Sequence, residues 1–146
     1  MKVRNTLIML GLLCASYAAC KSQPEWTPEE KLNFKHFLIA QNADAAAVRL
    51  SNAGMPNSAI SSDKSNEILQ LMKKALGEAQ IIRDDILAKA RPDLPEHFRR
   101  ELQRSLELQI RNLEVGDASA GIEGSSLHYK WIYWINSHNS EIRVPK

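Results

Sequence analysis

Apolar residues recur at helical spacing over three long stretches of this chain. The clearest runs from about Ser65 to Ala90, where Ile68, Met72, Ala75, Ala79, Ile82 and Ile86 alternate spacings of four and three. A helix turns every 3.6 residues, so that alternation holds one stripe on one face. Leu69, Leu76 and Leu87 widen it, and one unbroken helix here would be roughly 37 Å long. A second stretch opens at Thr27-Pro28-Glu29-Glu30. Thr27 can cap a helix, Pro28 suits its first turn and Glu30 completes a capping box. This helix runs towards Leu50, with Phe34, Leu38, Gln41, Ala45 and Val48 expected on one stripe. The third stretch, Pro95 to Val115, turns Phe98, Leu102, Leu106, Ile110 and Leu113 inward. Asp93 with Glu96 offers a capping pair at its start, and Gly116 can end it.

Between the first two helices, residues 51–64 (SNAGMPNSAISSDK) carry Gly54, Pro56 and serines and read as a loop. A fourth helix begins near Asp117 or Ser125 and reaches Ser137, with Gly121 and Gly124 weakening its early turns. Wound as a helix, LHYKWIYWINSH places Leu127, Trp131, Trp134, Ile135 and His138 on a core-facing arc. Tyr129 and Tyr133 then point outward, flanked by Ile132. Arg83 falls inside the stripe of the second helix, and its stem is expected to lie over apolar surface with its head in water. The tail SEIRVPK is expected to be loose or extended. The fold class is therefore all-α: an antiparallel bundle of three long helices plus a C-terminal one, over residues 27–146.

Ahead of the bundle the pattern changes. Lys2 and Arg4 form a positive start, Leu7 to Ala15 carry no charge, and small residues gather from Ala15 to Ala19. That is the layout of an export signal, too short and too interrupted to span a membrane as a helix of about 20 apolar residues. Its end, Tyr17-Ala18-Ala19-Cys20, resembles a bacterial lipobox, with Tyr17 standing where Leu, Val or Ile is usual. The resemblance implies cleavage after residue 19, a diacylglycerol on the Cys20 sulfur and acylation of the new amino terminus. Lys21 rather than Asp follows the cysteine, which in this family resembles the outer-membrane sorting default. Plain secretion, with cleavage after Ser16-Tyr17-Ala18, is the alternative; it would leave Cys20 as an odd free thiol. Residues 20–26 are then the lipidated cysteine and a tether of at most roughly 20 Å. Trp26 either dips into the headgroup layer or, the preferred placement, packs on the first helix.

Composition narrows the function. The chain has 19 Lys and Arg against 17 Asp and Glu, and Lys2 and Arg4 supply the excess. A domain so nearly neutral is no nucleic-acid binder by charge. With Cys14 in the signal, no second cysteine remains to pair with Cys20, so a core must hold the domain. His36, His97, His128 and His138 show no metal-ligand spacing, and no nucleophile elbow or phosphate loop occurs. No cofactor, metal or small-molecule substrate is expected, and the chain reads as a non-enzyme. Arg100, Arg104 and Arg111 share an outer face of the third helix and could meet an acidic partner, although Glu96 and Glu107 offer local ion pairs. The tyrosine pair is the other candidate surface, because tyrosine is enriched at interfaces. The expected function is a lipid-anchored envelope protein that binds another envelope or periplasmic protein as scaffold, machine component or toxin-immunity protein. A periplasmic enzyme or accessory with a spatially assembled site is the alternative.

Overall fold

The computed structural model describes residues 24–53 and 62–146. The signal, Cys20 and most of the 51–64 loop lie outside the described residues. Those described form an all-α bundle without strands. Helix α1 (Pro28–Asn52) is followed by α2 (Ser62–Ile81) and a short α3 (Asp84–Ala90). Then α4 (Leu94–His97), a π-helical stretch (Phe98–Gln103) and α5 (Arg104–Val115) run on as one rod, with helical dihedrals at both joins. Helix α6 (Ala118–His138) and a 3-10 turn (Asn139–Glu141) complete the chain.

Cross-helix contacts give the topology. Glu29 and Asn33 of α1 meet Arg83 and Ile81 at the far end of α2. Lys73 pairs with Glu114, while Arg99 reaches Ala79, so α2 and α5 also run in opposite directions. Ser105 bonds Gly124, and His97 stacks on Trp134, which reverses α6 against α5. The bundle is up-down-up-down. Its core is an aromatic chain from Trp26 through Phe34, Phe37, Phe98 and Trp131 to Trp134, with adjacent ring centroids 5.2–5.8 Å apart. Burying these large rings is the main driving force for closing the bundle.

The local signals hold. Thr27 Oγ1 accepts from the Glu30 amide and Glu30 accepts from the Thr27 amide, the reciprocal capping box. Gly116 ends α5 at φ 72°, where a Cβ would be strained. Trp26 packs on Phe34 under the Lys89 ammonium. Ile68, Met72, Ala75, Ala79, Ile82 and Ile86 are all buried, as their spacing predicts.

Six expectations need correction. The second helix is not continuous: it stops at Ile81, and Arg83 turns extended (φ −82°, ψ 142°) as the N-cap of α3. The break is stitched from elsewhere. Asn33 donates to the Ile81 carbonyl and accepts from the Arg83 amide, while Arg99 donates to the carbonyls of Ala79 and Ile82. These side chains satisfy groups a helix end leaves open. Arg83 therefore lies at a corner, half-exposed, bonded to Asp85 and Glu29 rather than laid along an apolar stripe. On α1 the buried face is Phe34, Phe37, Ala40, Ala43, Asp44 and Ala47; Leu38 is partly exposed and Gln41, Ala45 and Val48 sit at the margin. An alanine-rich helix offers little contrast, and its rotation is decided by the neighbours of Phe37 and Asp44. Leu113 is exposed, and on that rod Ser105 and Leu108 are buried instead, where α6 packs. Asp93 sits at the expected cap position but makes no capping bond, because Arg91 holds its carboxylate. Finally, the tail is docked: Ile142 packs on the core, and the Arg143 amide donates to the Ala90 carbonyl at 3.0 Å.

Candidate partner-binding surface

Helix α6 carries the candidate surface, and its two faces are made differently. Asp117 caps it by accepting from the Ala120 amide at 3.0 Å. Gly124 lets its first turns approach α5: an added Cβ would meet the Leu108 side chain and the Ser105 carbonyl at 3.1 Å, and Gln109 at 2.9 Å. Ser105 Oγ donates to the Gly124 carbonyl across that contact. So the glycines that weaken this helix in isolation are what seat it in the bundle. Further along, Trp131, Trp134 and Ile135 enter the core, while His97 and His138 each stack on Trp134, centroids 4.3 and 4.9 Å away. The core arc is the predicted one.

With that face committed inward, the opposite face is free. Tyr129 is 76% exposed and Tyr133 79%, one turn apart, with Ile132 beside them. Ile122 is 75% exposed two turns before Tyr129 and extends the same stripe. A shallow groove runs along Tyr129, Ile132, Tyr133 and Asn136, and a second depression joins Tyr129 to Ile122 past Ser125 and Ser126. Among the residues that line the two depressions only Lys130, beside Tyr129 in the second, is charged. The spacing of seven between Ile122 and Tyr129 is the signal in the sequence that places it on the same face.

The arginine candidates are arranged differently. Arg100 pairs with Glu96 at 2.9 Å, Arg104 with Glu107 at 3.2 Å and Arg111 with Asp117 at 2.8 Å. All three heads remain exposed but already have carboxylate partners, so the stripe is largely self-neutralised. They do not join the tyrosines: Arg100 stands in the π-helical stretch and Arg104 and Arg111 on α5, whereas the tyrosines stand on α6.

Buried polar groups form two further clusters. Asp44 of α1 accepts from His128 Nε2 at 2.8 Å, with both side chains nearly buried, and Glu101 in the π-helical stretch contacts His97 at 3.1 Å. Asp44 Oδ1 and Glu101 Oε2 have no hydrogen-bond partner among the described residues. His36 meets Glu78 at 2.5 Å between α1 and α2. Each pair ties elements together, and among the described residues no three His, Cys, Asp or Glu side chains group as metal ligands. At the surface, the Arg83 guanidinium lowers the Asp85 carboxyl, Arg91 lowers Asp93 and the Lys89 ammonium lowers Glu30.

Comparison with known proteins returns no matching family model, curated protein or solved structure.

Proposed function

We propose that this chain is a lipid-anchored bacterial envelope protein, tethered through Cys20, that works by binding another envelope or periplasmic protein through the outer face of α6. On this reading it is not an enzyme, and the anchor places it on the outer membrane facing the periplasm. The observation that carries the binding part is the uncharged exposed stripe Ile122, Tyr129, Ile132 and Tyr133, backed by a helix whose other face is locked by two tryptophans. Tyrosines on such a rigid support bring large contact area at small entropic cost. The anchor rests on the lipobox-like ending at Cys20.

The test is affinity with stability as control. The partner recovered from detergent-solubilised envelope should bind Tyr129→Ala/Tyr133→Ala at least 30-fold more weakly, about 2 kcal/mol, while the melting temperature barely moves. Unaltered affinity in a folded double variant would reject the α6 surface and shift attention to Arg100, Arg104 and Arg111.

A further inference from the structure

A second exposed apolar patch lies at the other side of the chain's start. Leu32 on α1 is 60% exposed, Leu38 37% and Val144 of the tail 49%, and together they line one groove. Lys31, Lys35 and Lys146 rim it. Of the acidic side chains in the first turn of α1, Glu29 is held by Arg83 and Glu30 by Lys89. By contrast, the three lysines have no ion-pair partner among the described residues, in a molecule where most arginines do. Apolar side chains surrounded by unpaired lysines match an anionic bilayer surface: the leucines and valine enter the headgroup boundary, and the ammoniums meet phosphates.

Position supports the same occupant. The groove is built from the first turns of α1 and the docked tail, the end of the bundle where the chain enters. Only residues 21–23 separate the described Pro24 from Cys20, a reach of at most about 14 Å. A lipid on Cys20 would therefore tether this end of the bundle close to the headgroups.

We infer that the groove of Leu32, Leu38 and Val144 with Lys31, Lys35 and Lys146 is a docking surface for anionic lipid, laying the bundle's entry end on the bilayer. The placement argument rests on the proposed Cys20 anchor; the chemistry of the patch does not. The experiment uses the mature chain purified from membranes, with a spin label at Leu32→Cys or, as control, at Tyr129→Cys. Each sample is mixed with vesicles of phosphatidylglycerol and phosphatidylethanolamine, or of phosphatidylcholine alone, and vesicle-associated protein is collected by flotation. With anionic vesicles the label at 32 should become about tenfold less accessible to a water-soluble relaxant, while that at 129 stays aqueous. Lys31→Glu/Lys35→Glu/Lys146→Glu, which breaks no ion pair, should melt like the parent and return the label at 32 to water. An equally aqueous label at both sites on anionic vesicles overturns the inference. So does protection at 32 that survives the triple change, or that occurs only when another envelope protein is present. Intact mass of the same sample reads the anchor separately: an unmodified Cys20 with a lipid-protected label rejects anchoring and keeps the docking surface, whereas an acylated Cys20 with an aqueous label does the reverse.

Discussion

Arg99 does more structural work than any charged residue the sequence pointed to. Its guanidinium donates to the carbonyls of Ala79 and Ile82, to Gln103 and to Asp84, gathering the end of α2, the start of α3 and the π-helical stretch around one head. Arg100, its neighbour, makes an exposed contact one turn back along the rod. Arg99→Ala leaves two carbonyls at a partly buried helix end without donors, which should cost about 1–3 kcal/mol. Arg100→Ala loses the exposed Glu96 pair and a 3.6 Å contact with the buried Glu101 carboxylate, and should cost under about 1 kcal/mol. Chemical denaturation of the two variants separates these roles; equal losses would mean that the clamp does not hold the corner. Nothing local marks Arg99 as the special one. Apart from Gln103, its partners lie 15 to 20 residues back, so only the folded arrangement distinguishes it from the arginines of the outer stripe.

At the scale of elements, what was legible depended on how far away the deciding contact lies. Thr27 and Glu30 cap each other across three residues, and Gly116 ends its helix by its own backbone, so both ends could be read from a few adjacent letters. The break between α2 and α3 could not. Ile82 and Ile86 continue the apolar spacing straight across it, and both are buried, so the pattern is identical for one helix or two. The break depends on Asn33, 50 residues before Arg83. The rotation of α1 likewise depends on Asp44 meeting His128, 84 residues later. For the stripe itself the expectation is unchanged by the break: Ile82→Asp should cost about 3 kcal/mol or more by burying an unpaired charge. Asp84→Ala, which removes an exposed partner of Arg99, should stay within about 0.5 kcal/mol. Thermal melts that coincide would show that Ile82 is not part of the core. The tyrosine face was legible for a related reason: the tryptophans claim one arc of α6, and helical geometry assigns the remainder.

Across the whole molecule, the surface divides by task. An aromatic chain fills the interior, three histidines contact carboxylates, and six arginines with Lys73 and Lys89 are ion-paired within the bundle. Two regions stand apart from that pairing: the lysine-rimmed groove near the chain's entry and the tyrosine-bearing outer face of α6. An anchor near the first and a protein partner on the second would let both be used at once, because α1 and α6 present separate surfaces. The measurement that bears most directly on this is photo-crosslinking in living cells, with benzoylphenylalanine placed at Tyr129, at Tyr133 and, as a control on α2, at the exposed Lys74. The account expects one discrete membrane-fraction adduct from positions 129 and 133 and none from 74. Adducts from 74 alone, or none from 129 and 133 in cells where the protein is folded and in the envelope, would contradict it.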